Sequence, residues 1–114
     1  MNASRPEVVA QAAELADRIR ATNRRSSFEA AVHNFLHLMR TVPDFAVGEI
    51  SETSIDALTK TAERVIDAIE DRLATADDSR EMQLDLAKTI YAIREALEGI
   101  DRWRRHYGRV IPPS

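Results

Sequence analysis

The chain has no cysteine, which excludes disulfides, thiolate catalysis and cysteine-ligated zinc. It has only three glycines, and aromatic residues make up 5% of it. A sheet protein typically has more glycine in its turns and more aromatic residues in its strands. No apolar run approaches the roughly 20 residues that cross a bilayer, and residues 1–9 lack the pattern of a secretion signal. These absences predict a helical protein of the cytoplasm.

The composition itself is that of an ordinary folded protein. Of the 114 residues, 44% are hydrophobic and 31% are charged, which predicts a single domain over residues 1–114. The net charge is −3, but residues 49–81 hold ten acidic and four basic side chains, while residues 82–114 hold four acidic and six basic ones. This distribution disfavours a broad nucleic-acid-binding face and leaves room for a local basic patch. Arginine greatly outnumbers lysine, which favours a GC-rich bacterial source.

Four amphipathic segments predict helices at about 5–22, 27–42, 52–75 and 79–107. Each segment has a start signal, an N-cap residue followed three positions later by an acidic residue. The pairs are Ser4 with Glu7, Ser26 with Glu29, Thr53 with Asp56 (Ser51 being the alternative start), and Asp78 with Glu81. Short connections between such helices favour antiparallel neighbours. The sequence therefore predicts an all-α, antiparallel four-helix bundle with two shorter N-terminal and two longer C-terminal helices.

The predicted core is a set of apolar stripes with helical spacing, one on each segment. The expected members are Val8, Ala12, Leu15 and Ile19; Phe28, Val32, Phe35, Met39 and Val42, flanked by Leu36 and Leu38; Ile55, Leu58, Ala62, Val65, Ile66, Ile69 and Leu73; and Leu86, Ile90, Ile93, Leu97 and Ile100. The second helix has the widest apolar face. Residues 43–50 are unusually apolar for a connection, so they either plug one end of the bundle or dock a partner.

The fourth helix is expected to outrun its neighbours. Its stripe continues through Leu97, Ile100, Trp103 and Tyr107, and we expect this stretch to be poorly covered in a monomer. An apolar helix face that outruns its own chain favours an oligomer, most simply a homodimer.

The densest basic and aromatic cluster lies at the end of the same helix. Its predicted partner-binding residues are Arg102, Trp103, Arg104, Arg105, Tyr107 and Arg109. Such a cluster suits an acidic protein partner, RNA or a phosphate. A basic last turn that complements the helix dipole, with the tryptophan packed inward, is the alternative.

His33 and His37 lie one helical turn apart, a spacing that lets two imidazoles bind one metal ion. They are predicted to lie opposite the apolar stripe of their helix, with no third ligand nearby in the sequence. We consider His33 and His37 the candidate residues for a metal site.

These observations favour a non-enzymatic protein that acts through protein–protein contact and self-associates, in a regulatory, adaptor or immunity-type role. No catalytic residues and no cofactor are expected, although the sequence leaves enzymatic activity open. The alternatives are a small-molecule or metal-binding bundle that uses His33 and His37, and a nucleic-acid or phosphate contact through residues 102–109. We expect neither nucleic acid as the main partner nor a membrane.

Overall fold

The computed structural model describes residues 6–22, 24–42, 52–75 and 79–108. These residues form four α-helices: α1 (Pro6–Ala21), α2 (Arg25–Thr41), α3 (Glu52–Thr75) and α4 (Arg80–Gly108). The described ranges contain no strand. The predicted all-α bundle, with two shorter helices followed by two longer ones, is confirmed, and the predicted helix ends agree to within two residues.

Helix α1 packs against α2 and α3, and α4 packs against the same two helices. Around the bundle the order is therefore α1, α2, α4, α3, so that α2 and α3, which follow each other in the chain, lie across a diagonal. The short connections thus join neighbours in two cases, α1 to α2 and α3 to α4. The 43–51 connection leads to the diagonal helix, and its predicted role as a plug or a docking loop lies outside the described residues.

Three side-chain contacts fix the directions of the helices. Arg94 meets Glu70, while Arg104 meets Asp56, so α3 and α4 are antiparallel. The guanidinium carbon of Arg72 lies 4.7 Å from the ring centroid of Phe28, which places the start of α2 at the end of the bundle where α3 ends and α4 starts. Helix α2 therefore runs beside α4 in the same direction, and α1 does so beside α3.

The core runs along the inner faces of all four helices, as the stripes predict. Its buried members are Val8, Ala12, Ala16 and Ile19; Phe28, Ala31, Val32, Phe35, Leu36, Met39 and Val42; Ile55, Leu58, Ala62, Val65, Ile66 and Ile69; and Met82, Leu86, Ile90, Ile93 and Ile100. The wide apolar face of α2 is confirmed. Seven side chains of α2, counting that of its C-cap residue Val42, belong to this buried set. In α1 the stripe is turned slightly from its predicted position, because Ala16 is fully buried and Leu15 only partly.

The predicted N-cap residues agree less well with the structure than the predicted helix ranges do. Helix α4 is capped by Ser79, whose Oγ accepts a hydrogen bond from the Met82 N–H at 3.2 Å. The N-cap of α2 is Arg24, which makes no side-chain capping bond, so the predicted cap at Ser26 is wrong. Thr53 lies inside α3 and is not its cap either. Ser4, Ser51 and Asp78 lie outside the described residues.

None of the four described helices is long and apolar enough to cross a membrane.

Candidate functional sites

Arg104 sits where α4 passes the first turn of α3, and it is held by three carboxylates. Its guanidinium nitrogens lie 2.9 Å from Asp56 Oδ1, 3.4 Å from Glu52 Oε2 and 3.4 Å from Asp101 Oδ1. Asp56 is one turn after Glu52 on α3, and Asp101 is three residues before Arg104 on α4. The carboxylates that surround the guanidinium therefore come from both helices. The planar guanidinium fork can serve several carboxylates at once in a way that lysine cannot.

The electrostatics of this group keep the arginine charged. Partial burial works to lower the pKa of Arg104. Its hydrogen bond to Asp56, the charge of Glu52 and the hydrogen bond to Asp101 outweigh that effect, and the net result is a pKa above the ordinary value. Arg104 is therefore a permanent cation, committed to its own chain.

Arg105 is also engaged within the molecule, because it donates to Asp101 one turn earlier on α4. Arg104 and Arg105 together face three carboxylates, so this part of the predicted basic cluster is neutralised. Arg102 is exposed. The side chains of Tyr107 and Arg109 lie outside the described residues. The described residues of the predicted partner-binding segment thus offer less positive charge than the sequence suggests.

The predicted uncovered stripe on α4 is partly wrong. Ile100 is only 2% exposed, and Leu97 and Trp103 are half-buried against the core. The reason is the position along the bundle axis at which α3 begins. Its first residue, Glu52, lies beside Arg104 of α4. Helix α3 therefore covers α4 up to that level, and only the last turn, about 6 Å of helix, extends beyond it.

The large hydrophobic side chains that the described residues do expose lie elsewhere on α4. Leu84 is 55% exposed and Tyr91 is 69% exposed. They are seven residues apart, and at about 100° per residue both project roughly 140–160° away from the buried Leu86. We call the face that carries Leu84, Lys88, Tyr91 and Glu95 the outer face of α4; all four residues are exposed.

Sequence reasoning missed the outer face, although a signal for it existed. Leu84 and Tyr91 are apolar residues that do not fit the Leu86, Ile90, Ile93 stripe, yet they share a face with each other. Apolar residues that lie off the core stripe but on one line are candidates for contact with another molecule. The basic and aromatic residues at the end of α4 are the more conspicuous feature of the sequence.

The two histidines of α2 are both exposed, as predicted. The structure places His33 beside two carboxylates. One of them, Glu29, lies only four residues before His33, so the expectation that no third ligand is nearby in the sequence is wrong. The Nε2 atom of His33 lies 3.7 Å from Asp85 Oδ2 on α4, and one ligand atom each from Glu29, His33 and Asp85 lie within 4.8 Å of one another. His37, one turn further along α2, is outside this group.

No protein-family model, no curated protein and no solved structure matches the chain.

Proposed function

We propose that this protein is a non-enzymatic helical bundle that acts through protein–protein contact, with a regulatory or adaptor role, and that it self-associates through the outer face of α4. The observation that carries the proposal is the pair of exposed hydrophobic side chains, Leu84 and Tyr91, on one line of the longest helix. A straight helix face is a ready surface for a second helix, and two copies of one face can pair about a two-fold axis.

The charges on the outer face suit a second copy of the same face. Lys88 precedes Tyr91 by three residues and Glu95 follows it by four, so charges of opposite sign stand on the two sides of the ring. If two α4 helices pair antiparallel around Tyr91, Lys88 of each copy faces Glu95 of the other. Opposite charges placed in this way fix the register more than they add affinity.

The expected affinity is modest. Full burial of a leucine or aromatic side chain contributes about 1.5–3 kcal/mol, so the exposed parts of Leu84 and Tyr91 contribute about 4–8 kcal/mol over two copies. Association costs at least about 4 kcal/mol in lost freedom of motion. The net gain is therefore at most about 4 kcal/mol, so self-association is expected at about millimolar concentrations.

The charge balance near the end of α4 favours a protein over a nucleic acid as the partner. Arg104 and Arg105 are already bound to carboxylates, and those carboxylates would repel phosphates. The negative phosphates of a nucleic acid would have to displace Asp56 and Asp101 to reach both arginines.

Sedimentation velocity over about 50 µM to 1 mM tests the proposal. We expect the wild type to shift from monomer toward dimer, and Leu84→Glu/Tyr91→Glu to remain monomeric with unchanged thermal stability, since both side chains are exposed. Lys60→Glu, an exposed change on α3, is the matched control and should dimerise like the wild type.

The register has its own test. Lys88→Glu should weaken the dimer by placing two acids together, and Lys88→Glu/Glu95→Lys should restore it. A wild type that stays monomeric throughout the range contradicts self-association. A dimer that survives Leu84→Glu/Tyr91→Glu would move the interface away from the outer face.

A further inference from the structure

The geometry points to a metal site that bridges α2 and α4: we propose that Glu29, His33 and Asp85 bind one divalent transition-metal ion of the Zn²⁺ type. Glu29 and His33 are four residues apart on α2, so they project from one face on adjacent turns. Asp85 reaches the same point from α4. This site is independent of the proposed self-association, because Asp85 lies on the side of α4 that faces α2 and not on its outer face.

The donor atoms are already close to metal-binding distances. In a tetrahedral site with bonds of about 2.0–2.2 Å, neighbouring ligand atoms are about 3.3–3.6 Å apart. His33 Nε2 and Asp85 Oδ2 are separated by 3.7 Å, and the widest separation in the trio is no more than 4.8 Å. Rotation of the half-exposed carboxylate side chains covers the difference, so the helices need not move.

The chemistry of the donors selects the ion. Imidazole nitrogen suits zinc, nickel, copper and iron, whereas calcium and magnesium prefer sites built wholly from oxygen. Two carboxylates balance the charge of a divalent ion. Three protein ligands leave at least one position open to water or to a group from another molecule.

The two carboxylates of this cluster differ from those that pair with an arginine elsewhere in the bundle. Asp56 and Asp101 are held by Arg104, Glu70 lies 3.8 Å from Arg94, and several more carboxylates of the bundle have such partners. Within the described ranges, neither Glu29 nor Asp85 forms an ion pair with an arginine or lysine. Their negative charge is left beside an imidazole, which is the arrangement that a cation completes.

The test is calorimetric titration of the chelator-treated, full-length chain with ZnCl₂. We expect one ion per chain, with micromolar affinity. Removal of a ligand by His33→Gln or Asp85→Asn should weaken binding at least ten-fold, and Glu29→Gln should weaken it as well. His37→Gln is the matched control, an exposed histidine on the same helix outside the trio, and it should bind within two-fold of the wild type. All four positions are at least partly exposed, so the variants should keep their helical circular dichroism.

Thermal unfolding supplies a second readout. An ion that binds only the folded chain raises its melting temperature, and since the site joins two helices, Zn²⁺ should raise that of the wild type but not that of Asp85→Asn. The absence of saturable binding to the wild type up to 1 mM Zn²⁺ overturns the proposal. So does binding that survives Asp85→Asn but is lost in His37→Gln, which would return the site to the histidine pair.

Discussion

Replacement of Arg104 by methionine tests the most concentrated set of polar contacts in the bundle. Methionine keeps an apolar stem of similar length, so the packing of the arginine's aliphatic part is largely preserved. What it removes is the guanidinium that links α4 to the first turn of α3 through Glu52 and Asp56, and to Asp101 within α4. The free energy of unfolding should fall, and the loss should be electrostatic in character.

The size of the loss follows from exposure and distance. The side chain of Arg104 is 30% exposed, but those of Glu52 and Asp56 are 70% and 61% exposed, so water screens each pair. Exposed pairs contribute about 0.2–1 kcal/mol each, and the 2.9 Å bond to Asp56 belongs at the upper end of that range. With the repulsion among the carboxylates left behind, we expect a loss of about 1.5 kcal/mol, or about 6 °C in melting temperature.

The assay is thermal unfolding by circular dichroism at low and high salt. The matched control is Arg18→Met, which removes a single 3.1 Å pair with Glu14 at side-chain exposures of 54% and 70%, and which should cost less than about 0.5 kcal/mol. At 1 M NaCl the screening length falls to about 3 Å, so the Arg104→Met loss should shrink markedly. A loss equal to that of the control, or one unchanged by salt, would refute the reasoning.

Three further changes probe the start of α4 and the core, each by chemical or thermal unfolding. Ser79→Ala should cost about 1 kcal/mol because the Met82 N–H loses its cap, whereas Ser26→Ala should cost far less, and equal losses would mean that Ser79 is no cap. Ile93→Ala removes a fully buried side chain and should cost about 2–5 kcal/mol; a loss under 1 kcal/mol would contradict its place in the core. Ala16→Leu should cost about 1–3 kcal/mol by overpacking where α1 meets its neighbours, and a gain in stability would show that the site has room.

The sequence is sufficient to predict the helices because their signals are local and repeated. Apolar spacing over sixteen or more residues averages out individual exceptions, which is why the ends of all four helices come out nearly right. Capping depends on one backbone N–H and one side chain, so a shift of one residue changes the answer. Ser79 is the residue after Asp78, the predicted N-cap of α4. Ser26 is the second residue of α2 and does not precede that helix.

The arrangement of the helices around the bundle is not a local property, and the errors about the candidate sites follow from it. Whether Ile100 is covered depends on where α3 begins relative to α4, and whether Arg104 is free depends on which carboxylates α3 brings beside it. Likewise, Asp85 becomes a neighbour of His33 only because α2 lies beside α4. A sequence pattern predicts which face of its own helix a residue lies on, but it does not predict which other helix packs against that face.

The three sides of helix α4 have different surroundings. Its inner side builds the core, the side toward α2 brings Asp85 to His33, and its outer face exposes Leu84 and Tyr91. Asp85 and Leu84 are adjacent in sequence, yet about 100° of helix rotation separates their side chains. An ion at His33 and a second copy on the outer face would therefore contact different residues of α4. The two proposals can thus fail separately: Asp85→Asn should abolish the zinc effect without changing self-association, and Leu84→Glu/Tyr91→Glu should do the reverse.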